Sequence, residues 1–121
     1  MANEVTFTGQ LGVSNGNFTP PSISETGSAD QAAIGLVHNV QTIGTGGEAL
    51  VTGDLSAAGW AMFKNTDGTN FVTIYDADSA SQDFIKLLAG KTAGPLPLGT
   101  LSVSAKADTA SVKLEYWIFE A

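Results

Sequence analysis

The chain has 121 residues and a net charge of −7, from twelve acidic residues against five lysines, with no arginine and no cysteine. That balance argues against gripping a phosphate backbone, which takes clustered Lys and bidentate Arg, and zero Cys removes disulfides, thiolate nucleophiles, zinc ribbons and iron–sulfur clusters. The length suits one domain, 1–121; charged content is only 14%, well under the ~25% of a typical soluble chain, so Ser, Thr, Gly and Asn must cover much of the surface.

Residues 4–13, EVTFTGQLGV, alternate with period two: Val5, Phe7, Leu11 and Val13 share one side, Glu4, Thr6, Thr8 and Gln10 the other. This predicts a half-buried strand. It stops at SNGNFTPPS, where Asn15-Gly16 can turn and Pro20-Pro21 cannot join a central ladder. Residues 22–33 are small and polar, and 28–33 is read as a loop or a helical turn. In 34–43, IGLVHNVQTI, Ile34, Leu36, His38 and Val40 share one side of a strand, with Val37 and Ile43 on the other. GTGGE makes a turn, and ALVT at 49–52 a short strand.

WAMFKN at 60–65 and TNFVTIYD at 69–76 flank Asp67-Gly68, a two-residue signal for a β-hairpin. DFIKLLAG at 83–90 is either a short helix capped by Asp83 or a strand. KTAGPLPLG at 91–99 reads as irregular because of its two prolines. Residues 101–107 alternate, with Leu101, Val103, Ala105 and Ala107 inward. Residues 111–121 follow, with Val112, Leu114, Tyr116 and Ile118 inward and Lys113, Glu115, Trp117 and Phe119 on the opposite side. Eight or nine short strands, with no helix long enough for a βαβ crossover, predict an all-β antiparallel sandwich or barrel. No stretch approaches about 18 apolar residues, so no membrane segment is expected, and no signal peptide is visible.

Few groups carry chemistry. His38 is the only imidazole, too few for a cupin-type metal site, and it is expected to be a buried or interfacial side chain with a satisfied hydrogen bond. Asp76, Asp78 and Asp83 suggest a calcium loop, but Ser81 stands where the pattern needs Gly and Leu87 where it needs Glu, so a solvated acidic loop is expected. GTGGE lacks the final glycine of a dinucleotide loop. The aromatics Trp60, Phe63, Phe71, Tyr75, Tyr116 and Trp117 are expected in the core or a subunit contact rather than stacking on sugars. No enzyme activity and no cofactor is expected.

The stretch from residue 60 to 121 resembles a pattern in small virion proteins of tailed bacteriophages. The segments FKNTDGTNFVTIYD, DFIKLLAGKTAGPLPLG and LSVSAKADTASVKLEYWIFEA carry the likeness; Lys91 departs from it, standing where Glu is common. The resemblance implies a jelly-roll-like β-sandwich and makes 83–88 a strand. It implies a capsid decoration (cement) protein on the outer surface of the virion, a homotrimer with the major capsid protein as partner. A tail component, or a carbohydrate-binding module, is the alternative. In that setting Trp117, Phe119, His38, Pro20 and Pro21 are the candidate interface residues, and 1–33 is a candidate strand or arm engaging neighbouring subunits. The second side of the last strand is covered either by another subunit or, if the strand is central, by its own chain.

Overall fold

The computed structural model describes residues 4–77 and 83–121. Ten strands follow in order: β1 Val5–Leu11, β2 Ile23–Ala29, β3 Leu36–Ile43, β4 Glu48–Ala49, β5 Ala58–Asn65, β6 Val72–Asp76, β7 Asp83–Leu87, β8 Thr92–Pro97, β9 Val103–Ala107 and β10 Val112–Glu120. β1 and β2 form a hairpin of their own. The remaining eight form two four-stranded sheets in the orders β3-β10-β5-β8 and β4-β9-β6-β7, and every pairing is antiparallel. Counted from β3, those orders are 1-8-3-6 and 2-7-4-5, which is the strand arrangement of a jelly roll. β6 and β7 are the one pair of body strands that are neighbours both in sequence and in a sheet; each other link crosses from one sheet to the other.

The core lies between the two sheets. Alternation puts Val112, Leu114, Tyr116 and Ile118 of β10 inward, where they meet Ile43, Phe63, Val72 and Ile74, all almost fully buried. One polar knot lies among them. The Tyr116 hydroxyl accepts from Asn39 Nδ2 (3.3 Å) and lies 2.7 Å from the Val51 carbonyl and 3.0 Å from Gln41 Oε1, to either of which it can donate. A buried hydroxyl needs such partners, since an unmade hydrogen bond there costs roughly 1–3 kcal/mol.

Several expectations are corrected. The Asp67-Gly68 segment does not close a hairpin: β5 pairs with β10 and β8, while β6 pairs with β7 and β9 in the other sheet. The reason lies in side chains. Asn65, fully buried, donates through Nδ2 to the carbonyls of Asn70 (2.9 Å) and Leu87 (3.0 Å), and its Oδ1 accepts from the Asp67 N–H (2.9 Å). The Asp67 carboxylate in turn accepts from the N–H groups of Thr69 and Asn70. These bonds hold a loop that steps between sheets, in place of a two-residue turn.

Residues 23–29 and 92–97 are strands where a loop or helical turn and an irregular segment were expected, which brings the number to ten. β8 accommodates Pro95 and Pro97 because it is an edge strand. Gly94 has φ +106°, and a Cβ there would lie 2.7 Å from the Ala61 carbonyl oxygen, so β8 approaches β5 only with glycine at that position. The expected strand 49–52 shrinks to Glu48–Ala49, extended by one bond from Leu50 N–H to the Val103 carbonyl (2.9 Å). The segment 83–90, open between helix and strand on its residues alone, forms strand β7 over Asp83–Leu87.

Candidate interaction surface

The outer side of the β3-β10-β5 sheet is unusually apolar. β10 lies between β3 and β5, and its outward residues Trp117 and Phe119 have Trp117 opposite His38 on one side and Met62 on the other, with Phe119 opposite Leu36. Leu36 and Val40 remain about half exposed and Phe119 more than a third. The His38 ring stacks on the Trp117 indole, centroids 4.8 Å apart at 12°, and His38 Nε2 lies 2.9 Å from Glu115 Oε2. An aromatic stack, an imidazole–carboxylate pair and bare aliphatics thus share one sheet face, the kind of contiguous surface that marks association.

The second apolar surface is the β1–β2 arm. At its base Phe7 stacks on Trp60, with centroids 4.3 Å apart at 21°. Gly27, the cross-strand partner of Phe7, permits this: a Cβ there would run into the Phe7 ring. Val5, Phe7, Trp60, Met62, Pro95 and Phe119 line a groove of about 280 Å³ where the arm meets the body. The root is fixed by Gln31, whose Nε2 donates to the Glu120 carbonyl (2.9 Å) and whose N–H donates to the Glu4 carboxylate (3.2 Å).

Beyond that base the arm is bare. Every residue from Thr8 to Thr26 is exposed, including Leu11, Val13, Phe18 and Ile23. Leu11 and Ile23 face each other across the hairpin, and the tip closes with reciprocal N–H···O=C bonds between Asn15 and Phe18 (2.8 and 2.9 Å), Gly16 taking φ +61°. No charged residue occurs from Val5 to Ser24.

Two carboxylates are held below their ordinary range. For Asp67 the cause is the Asn70 N–H and then that of Thr69; for Glu120 it is the Ser56 hydroxyl (2.6 Å) and then the Ser56 N–H (2.8 Å). The Asp67 bonds lie within the loop between β5 and β6, and the Glu120 bonds tie the Ser56 segment to β10. No cluster of three or more potential metal ligands occurs among the described residues. Asp78 and the side chain of Asp83, two of the three acids in the sequence-level calcium-loop comparison, lie outside them.

The structure brings together three of the five residues singled out from sequence. His38 and Trp117 are stacked, and Phe119 follows on the same outward face. His38 is not buried within the chain: its side chain is 47% accessible because the apolar side of β3 faces outward and Val37 and Ile43 face the core. Pro20 and Pro21 are exposed in the arm, between its tip and β2, apart from that cluster. Sequence reasoning missed Leu36, Val40 and Met62 as outward neighbours of Trp117, and Phe18 as an exposed tip. The uncharged run from Val5 to Ser24 was the available signal for the arm. No protein-family model, no characterised protein and no solved structure matches the chain.

Proposed function

We propose that this chain is a structural virion protein: a capsid decoration (cement) protein that binds the outer shell of a tailed-bacteriophage head as a homotrimer and stabilises it, with the major capsid protein as partner. The observation that carries the reading is the arm, a hairpin attached by its base, without charge from Val5 to Ser24 and exposed from Thr8 to Thr26 with four large apolar side chains bare. A chain gains nothing in isolation by exposing such an element; its apolar surface becomes favourable when a neighbouring subunit covers it. The Trp117, Phe119, Leu36 and Val40 face offers a second contact, so that lattice attachment sums several modest contacts rather than one strong site. The jelly roll supports the reading without carrying it, since that architecture also serves lectins and enzymes. The net charge of −7 suits a protein on the outside of the shell, away from the genome.

The test is location and copy number on purified particles, by labelling or electron microscopy. Hundreds of copies in regular threefold clusters on the head are expected. A few copies at the tail would replace this reading with a tail or fibre role. Absence from particles, together with binding to a glycan surface, would replace it with a receptor-binding module.

A further inference from the structure

A cleft of about 210 Å³ opens at the edge of the sandwich between β7 and β8. Its walls are Ile74, Ile85, Leu96, Leu98 and Val103, and Phe84 stands at its lip, 88% exposed. An apolar cavity of roughly 150 Å³ is enough to hold a benzene ring, so the cleft has room for one phenyl side chain.

The chain carries such a side chain on a projecting element. Phe18 closes the tip of the arm and is 63% exposed. Charge narrows the choice of occupant. A molecule with net charge −7 repels its own copies, and the repulsion is least where two uncharged surfaces meet. Val5–Ser24 contains no charged residue, and neither does Thr92–Ala105, which supplies Leu96, Leu98 and Val103; among the described residues lining the cleft, Asp76 is the one that carries a charge. The tip matches the aliphatic side of the cleft in polarity and size, and neither the Val5–Ser24 segment nor the Thr92–Ala105 wall carries the charge that would keep copies apart.

We propose that the tip of the arm, with Phe18 foremost, seats in the β7–β8 cleft of a second copy of this chain. The contact joins two different surfaces, so it is head-to-tail, and its repetition closes a ring when the rotation between copies allows. A trimer then holds three identical tip-in-cleft joints. The inference rests on the oligomeric part of the function proposed above and not on attachment to a capsid.

The test uses the full-length chain and two variants at exposed positions, F18D on the tip and F84D at the lip, with sedimentation and light scattering as readouts and circular dichroism melts as the folding control. The wild type is expected to be an oligomer. Each variant alone is expected to be a folded monomer, its self-association weakened roughly thirty-fold or more, as for a central anchor residue. Mixing the two is expected to give a heterodimer, because F84D keeps an intact tip and F18D an intact cleft. Independently, F18C chains mixed with F84C chains under oxidation should give a band of twice the mass, in a protein with no other cysteine.

A monomeric wild type, an F18D chain that still assembles, or a mixture without heterodimer and without the crosslinked band would overturn the proposal. Assembly lost in both variants and regained on mixing upholds it, even if the protein proves absent from phage heads, which would remove the capsid reading alone. Assembly that survives in F18D on particles decorated in threefold clusters would leave the capsid reading standing and this joint refuted.

Discussion

The arm and the body are built from the same kind of sequence with opposite results. β10 alternates inward and outward residues, and its inward set, Val112, Leu114, Tyr116 and Ile118, is no more than about 1% exposed. β1 alternates just as cleanly, yet beyond Phe7 its apolar residues are bare. The difference is the second layer. β10 has a facing sheet along its length; the arm has its own partner strand and a footing confined to its base, where Val5 and Phe7 meet Trp60, Met62, Pro95 and Phe119. A period-two pattern states which residues want the same cover, and tertiary structure decides whether one chain can supply it.

The largest effect should separate the two regions outright. Phe63→Ala, in the body, should cost about 3–5 kcal/mol in urea unfolding through the cavity it leaves. Ile23→Ser, on the arm, should stay within about 0.5 kcal/mol, as for an exposed site without special contacts. Comparable losses at both would mean that the arm is part of the same cooperative core.

Asn65→Ala comes next. It leaves the Asn70 and Leu87 carbonyls and the Asp67 N–H without their partner, and about 2–3 kcal/mol of stability should go with them. Tyr116→Phe should lose about 1–3 kcal/mol by the same mechanism at the other buried knot.

A smaller effect concerns acid. Asp67 and Glu120 have carboxyls held below their ordinary range by N–H and O–H donors, so folding favours their ionised forms. Their contribution is whole above the unfolded values near pH ~4 and is lost as pH falls through the lower folded values. Urea midpoints should therefore drop on acidification below about pH 4, and D67N should show a shallower drop. An unchanged acid slope in D67N would remove that carboxylate from the account. The subtlest test is amide exchange: amides near the arm tip should exchange by local opening, those of β10 only with global unfolding.

Much of the body was legible in advance. The inward set Val112, Leu114, Tyr116, Ile118 and the outward set Lys113, Glu115, Trp117, Phe119 are as the alternation implies. β2 was not legible because Ser24, Glu25, Thr26 and Ser28 pair with β1 without burying a core, leaving no pattern to read. β8 was hidden by its prolines, which an edge strand tolerates. Asp67-Gly68 misled because turn propensity is local, whereas Asn65 reaches the Leu87 carbonyl, 22 residues away. On the candidate surface, His38 was identifiable as special by its uniqueness, but its stack on Trp117 depends on the β3–β10 register, a pairing of segments about 80 residues apart.

The sheet order carries a kinetic consequence. β10 sits between β3 and β5, so the first strand of the body waits for the last before it gains its neighbour. Such distant pairing slows collapse to the native state, on the scale of milliseconds to seconds for domains of this kind. The β1–β2 hairpin pairs segments that are neighbours in the sequence, and hairpins of that local kind form in roughly 1–10 microseconds. On the ribosome the bare Leu11, Val13, Phe18 and Ile23 therefore emerge well before residues 112–120 arrive to complete the sandwich, and in that interval exposed apolar surface is open to misassociation between crowded nascent chains.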